Sequence, residues 1–294
     1  MSYLPEKEVG NMGPKGKIML IGGAEERVGN THPERSVDSS SRYEILSQLL
    51  PSDRKEGRIE VLTCASGVPK EVAETYERTF GEIGFSNVGF LHASDRSGVS
   101  SKEWSDRIGD AEVVFLTGGD QAKLAAILGG STPWGTIEEK YRDQKGFTVA
   151  GTSAGAMVLS STMIMGGGNS ENPNCSPIRL GPGLGIVDHC VVDTHFVERG
   201  RFVRLARSLL LNPRYLGLGL GEDTALLIEG GRKATCIGNG MVVMIDCSGV
   251  RETNAEEADP SESVYARDIQ VHMLLNGCSI DLQERDLDCR KGRG

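Results

Sequence analysis

Five short apolar runs in the first half of the chain constrain its fold more than any other feature. They are KIMLIGG (17–23), IEVLTCA (59–65), NVGFLHA (87–93), EVVFLTGG (112–119) and FTVAG (147–151). Each is nearly continuous in hydrophobicity and bounded by turn residues, as in strands buried on both faces of a parallel sheet. Between them, PKEVAETYERTFGEIG (69–84) sets Val72, Tyr76, Phe80 and Ile83 on one helical face. QAKLAAILGG (121–130) reads as a second helix, with Gly129 as its C-cap. Strands alternating with helices predict an α/β fold with a doubly wound, mostly parallel sheet.

The second half changes character. CVVDTHF (190–196), TALLIEG (224–230), ATCIG (234–238) and MVVMID (241–246) read as strands, with hairpin glycines at 230–231 and 238–240. An antiparallel C-terminal extension of the same sheet is the expectation. Residues 251–264 read as an acidic surface loop, followed by the strand-like RDIQVHMLL (267–275). The chain is expected to be a single α/β domain over residues 16–284, between an N-terminal tail (1–15) and a charged C-terminal tail (285–294).

A net charge of −9 argues against a nucleic-acid footprint, which needs a basic face. The seven cysteines are scattered and odd in number, without a C-x-x-C pair, and read as reduced apolar residues rather than a disulfide framework or zinc site. The first residues hold no apolar leader, and no stretch is long enough to span a bilayer, so a cytoplasmic location is expected.

The chemistry centres on Gly151-Thr152-Ser153-Ala154-Gly155. A buried strand leads into this G-x-S-x-G motif and a helix start leads out. A serine hydroxyl is a weak nucleophile that must be held exposed beside a base. A sharp strand-to-helix turn does this, and it leaves the N–H of Ala154 free for an oxyanion. A serine that merely caps the helix is the bland alternative.

Five histidines are available, and His195 is the best placed to act as base. It follows the apolar CVVD, where the chain leaves the sheet, and open α/β sheets bind ligands at the carboxyl ends of their strands. Glu222, after LGLGLG (216–221), is the leading acid to orient the imidazole; Asp223 and Asp193 compete with it. The order Ser…His…Glu differs from the Ser…Asp/Glu…His of α/β-hydrolases, which would leave only His272 as base. Thr117-Gly118-Gly119-Asp120-Gln121 directly follows a strand, so the N–H of Gly119 is the second oxyanion donor and Gln121 a substrate contact. The same turn could instead serve only as a strand–helix connection capped by Asp120. Beyond His195, Arg199, Arg201 and Arg204 suggest carboxylate recognition, unless they form an ordinary solvated helix face.

Together these blocks resemble the cyanophycinases, relatives of the dipeptidase E-like serine peptidases. The blocks are IGGAEER (21–27), TGGDQ (117–121), GTSAGA (151–156), LGPGLG (180–185), DTHFVERGRFVRL (193–205), GEDTAL (221–226) and VHMLLNG (271–277). The resemblance implies a flavodoxin-like fold related to class I glutamine amidotransferases, with serine in place of their cysteine. It implies a Ser153–His195–Glu222 triad and a substrate site shaped by Gln121, Asp193, Arg199, Arg201 and Arg204. It implies a homodimer and no cofactor or metal. The implied substrate is cyanophycin, a poly-aspartate backbone with arginine on each β-carboxyl, cut by exo-attack into β-aspartyl-arginine. The family commonly has glutamine where Thr194 stands, which puts one substrate contact in doubt. Two rival readings remain at this point: a dipeptidase for short Asp-containing or isoaspartyl peptides, and a non-catalytic binding protein on the same scaffold.

Overall fold

The computed structural model describes residues 13–29, 43–167, 178–258 and 262–288. Most of the expected tails, residues 1–12 and 289–294, lie outside these, as do His32, Cys175 and Cys289.

In chain order the elements begin with β1 (Lys17–Ile21), α1 (Glu44–Ser47), β2 (Ile59–Leu62), α2 (Pro69–Ile83), β3 (Val88–Leu91), α3 (Arg96–Val99) and α4 (Lys102–Asp110). There follow β4 (Val113–Leu116), α5 (Gln121–Leu128), α6 (Thr132–Asp143), β5 (Thr148–Thr152), α7 (Ala154–Met157), β6 (Thr162–Gly166) and β7 (Arg179–Pro182). The rest comprises β8 (Cys190–Asp193), α8 (Phe202–Leu210), β9 (Leu216–Leu220), β10 (Thr224–Glu229), β11 (Lys233–Gly238) and β12 (Val242–Asp246). Last come β13 (Glu252–Thr253), β14 (Ala266–Arg267), β15 (Gln270–Leu274), β16 (Ser279–Asp281) and β17 (Asp286–Asp288).

The molecule is mixed α/β around a nine-stranded sheet ordered β17-β16-β11-β10-β1-β5-β4-β2-β3. The strands from the five apolar runs pair in parallel within it. Its two faces are both covered, and β1 shows how. Met19 and Ile21 join Leu46, Tyr76 and Phe80 in one core. Ile18 and Leu20 face the other way, into a core with Trp104, Leu124 and Trp134. The period-2 alternation of one apolar strand thus feeds two helical layers. Tyr76 and Phe80 of α2 stack around Phe115, with ring centroids 5.0 and 5.9 Å from it. Helix α2 ends at Gly84 in the left-handed conformation. Gly129 ends α5 at φ −57°, so the left-handed turn there falls one residue later, at Gly130.

The second half departs from the expectation of one extended sheet. Strands β10, β11, β16 and β17 do continue beside β1 in antiparallel fashion. Four others form a separate sheet ordered β15-β12-β9-β8, in which β8 and β9 are parallel. Residues 238–240 are therefore not a hairpin; they carry the chain from β11 in one sheet to β12 in the other. Helix α8 covers the second sheet, packing Leu205 and Leu209 with Val191 and Ile245. The limits expected for the tails also move outward. Lys15 and Gly16 donate backbone N–H to Arg142 and Tyr141 at 3.1 and 2.8 Å, and residues 286–288 pair with β16. No helix among the described residues is long and apolar enough to cross a membrane. Cys64, Cys190, Cys247 and Cys278 are free thiols.

Candidate active site

Strands β1, β5 and β4 lie side by side in parallel, so their carboxyl ends open onto one edge of the sheet. Ser153 stands at the end of β5 with φ 53° and ψ −117°. Left-handed backbone at a serine costs about 1–3 kcal/mol and persists only where the surroundings impose it. The flanking glycines are what permit the turn. A Cβ on Gly151 would lie 2.2 Å from the Gly155 carbonyl oxygen, and one on Gly155 would lie 2.2 Å from that of Leu116. The G-x-S-x-G spacing is thus a packing requirement of the bend itself.

The short segment after β1 organises the rest. Ile21, Gly22 and Gly23 offer successive carbonyls to the backbone N–H groups of Ser153 at 3.0 Å, His195 at 2.8 Å and Asp223 at 2.9 Å. One turn of chain therefore gauges three loops against each other, two of them arriving from the second sheet. Four of the eight described non-glycine residues with positive φ cluster here: Ala24, Ser153, His195 and Asp223. A Cβ on Gly23 would sit 2.4 Å from the His195 ring, so the imidazole packs directly against bare backbone.

The side chains meet as a relay. Ser153 Oγ is 3.0 Å from His195 Nε2. His195 Nδ1 is 2.6 Å from Glu222 Oε1. The side chains of His195 and Glu222 are 12% and 32% exposed, enough shielding to strengthen the pair without sealing off solvent. Of the competing acids, Asp223 accepts from Asn239 Nδ2 at 3.1 Å and Asp193 is engaged in an ion pair with Arg204. The N–H groups of Ala154 and Gly119 have no backbone acceptor among the described residues. A Cβ on Gly118 would come within 3.4 Å of Ser153 Cβ, which brings the Gly118-Gly119 turn to the serine.

The expected substrate contacts divide. Gln121 donates its side-chain amide to the Ile164 carbonyl at 2.8 Å. Asp120 beside it caps α5, accepting from Ala122 and Lys123. Asp193 is fully buried, accepting from Arg204 Nε at 2.6 Å and from Arg201 Nη1 at 3.2 Å. Arg204 adds a second bond from Nη2, making the pair bidentate. As a direct substrate contact Asp193 is therefore displaced: its carboxylate is covered by the arginines and locks the start of α8 behind His195. Arg201 also donates to the Thr194 carbonyl at 2.6 Å. Burial pulls the Arg201 guanidinium down to about 10 against the opposing pull of Asp193, helped by the charges of Arg204 and Arg199, so it stays a cation at neutral pH. Arg199 is exposed. Thr194 is buried, and its hydroxyl has no hydrogen-bond partner among the described residues.

A cavity of about 220 Å³ opens beside Ser153 and His195. Its lining includes Arg27, Val72 and Tyr76, none of which the sequence marked as functional. Beneath it Glu25, fully buried, accepts from Thr152 Oγ1 at 2.7 Å and from the Tyr76 hydroxyl. Burial, reinforced by Glu25, raises the Tyr76 phenol well above its ordinary value, so it remains a neutral donor.

The Peptidase family S51 profile matches residues 44–236. The chain belongs to peptidase family S51. It is 31% identical over 271 residues to the cyanophycinase of Synechococcus elongatus, covering 92% of this chain and 80% of that protein. It is likewise 31% identical over 272 residues to the cyanophycinase of Nostoc sp., covering 92% and 87%. Among solved structures it resembles a peptidase from an acI-B1 Actinobacterium, with a TM-score of 0.61 at 21% identity over 92% of this chain and 98% of that one. That likeness shows a shared fold. Family membership makes the protein a serine peptidase, a hydrolase.

Proposed function

We propose that this S51 peptidase hydrolyses cyanophycin to β-aspartyl-arginine, with Ser153 as nucleophile, His195 as general base and Glu222 as its orienting acid. The observation that carries the proposal is the unbroken relay from Ser153 Oγ through the imidazole to Glu222, at 3.0 and 2.6 Å. It is supported by curated cyanophycinases that match nearly the whole chain. Cyanophycin is a polymer of backbone amides, so its breakdown is an acyl transfer to water. Ser153 Oγ attacks the scissile carbonyl as its proton passes to His195 Nε2. Glu222 holds the Nδ1 proton in place and stabilises the imidazolium. The N–H groups of Ala154 and Gly119 receive the oxyanion. The imidazolium then protonates the departing amine, leaving an acyl-enzyme. Water, deprotonated by His195, attacks the ester and restores the serine.

Exo-attack is the mode we favour, as the resemblance to the cyanophycinases implies. A homodimer is consistent with Val271 and Met273 on one face of the edge strand β15, and with Leu275 just past its end, at 44%, 68% and 56% exposure. Reduced buried thiols suit the cytoplasm. We relate the parallel strands and nucleophile turn to those of class I glutamine amidotransferases, with serine for cysteine.

The test is mass spectrometry of the soluble products from insoluble cyanophycin. The wild-type protein should release β-aspartyl-arginine, and Ser153→Ala should release it slower by a factor of roughly 10⁶. A wild-type protein that leaves the polymer intact, or a fully active Ser153→Ala, would refute the proposal.

A further inference from the structure

The cation set foreseen for the substrate is largely committed elsewhere, since Arg204 and Arg201 both pair with the buried Asp193. Arg27 is different. It lines the cavity that holds Ser153 and His195. Its Nη1 donates to the Tyr76 hydroxyl at 3.3 Å, and its Cζ lies 5.6 Å from the centre of the Tyr76 ring. No ion pair to it is formed among the described residues, and the charge of Glu25 favours its cation from further off. Glu25, the nearest acid in this network, gives one oxygen to Tyr76 and the other to Thr152. Tyr76 therefore bridges the two charges, accepting from Arg27 and donating to Glu25. Val72, one turn before Tyr76 on α2, supplies an apolar wall. A half-buried guanidinium braced on a neutral phenol, beside a nucleophile, makes a receptor for a planar anion rather than for the guanidinium of an arginine side chain.

We propose that Arg27, braced by Tyr76, forms a carboxylate subsite of the active site that binds an acid group of the residue flanking the scissile bond. The identity of the ligand rests on the cyanophycin reading, which offers two sources: the terminal aspartate and the arginine α-carboxylates. The subsite takes one carboxylate beside the reacting carbonyl, and so fixes which amide is presented to Ser153.

The test measures binding without turnover, in Ser153→Ala protein, by titration calorimetry. The probe is a synthetic peptide of two β-aspartyl-arginine units, with its carboxylates free, with only the terminal aspartate amidated, or with only the arginines amidated. One amidation should weaken Kd roughly ten- to hundredfold, as expected for a lost charge-assisted pair, and identifies the carboxylate bound. Adding Arg27→Gln should abolish that difference, and Arg27→Lys should keep part of it. Equal affinity for all forms, absence of binding, or discrimination that survives both Arg27 substitutions overturns the subsite. If Arg27 only balances Glu25, its substitution lowers the thermal midpoint and leaves the discrimination intact, which also overturns it. Arg27-dependent discrimination in a protein that releases nothing from cyanophycin would sink the proposed substrate and keep the subsite.

Discussion

The two halves of the proposed active site are built on different physics. The nucleophile half, at the ends of β1, β5 and β4, is positioned by backbone. Neighbouring parallel strands set its register, and close glycine contacts set the bend at Ser153. The base half, at the ends of β8 and β9, is positioned by charge and by contact with the other sheet. Asp193 pins Arg204 and Arg201 immediately after the histidine, and the Gly22 and Gly23 carbonyls hold the loops of His195 and Asp223. A backbone-built site is local and stiff. A charge-built one depends on burial, and breaking one partner leaves the other stranded.

The contrast can be tested from both ends. The largest effect is expected from Asp193→Asn, which leaves Arg204 buried without its counter-ion. Breaking such a pair costs about 3–5 kcal/mol, so the urea midpoint should fall with an unchanged m-value. A variant as stable as the wild type would mean that the base half does not depend on this ion pair. A smaller effect is expected from Gly23→Ala, whose new Cβ meets the imidazole at 2.4 Å on a backbone with φ 100°. The ring must move, and a displacement of about 1 Å at a reacting group costs roughly a hundredfold in rate. Kinetics on a soluble β-aspartyl-arginine peptide should show that loss mainly in kcat/KM, beside a strain penalty of about 1–3 kcal/mol in stability. Retained kcat/KM would show that the junction tolerates slack and that the carbonyl gauge is not what aligns the halves.

The same division explains what could be read from the sequence. The parallel strands announce themselves because each is a self-contained apolar run, and the nucleophile turn because its glycines lie within five residues. The Ser153, His195 and Glu222 positions stand out as polar residues just beyond such runs. The second sheet was not legible. Its pairing of β8 with β9 spans the whole of α8, and nothing in LGLGLG says which sheet it joins. The glycines at 238–240 look like a hairpin yet serve a crossing between sheets, because turn chemistry marks a change of direction and not its destination. Asp193 beside a candidate base reads as a site residue, and only burial shows both its oxygens covered by arginine. Tyr76 was hidden by its own helical face: two of its three apolar companions, Phe80 and Ile83, are core, and one hydroxyl pointing at Glu25 leaves no trace in periodicity. Helices α4 and α6 did leave signals, Ser101 and Ser131 as N-caps, the latter followed by a proline in the first turn.

The central claim is that the Ser153 hydroxyl is activated by His195. Its most direct measurement is covalent labelling with a fluorophosphonate, read by peptide mass spectrometry. A single label on Ser153 is predicted, absent from Ser153→Ala and formed more slowly by a factor of roughly 10³ to 10⁶ in His195→Ala. No label, a label on another residue, or a rate indifferent to His195 would contradict it.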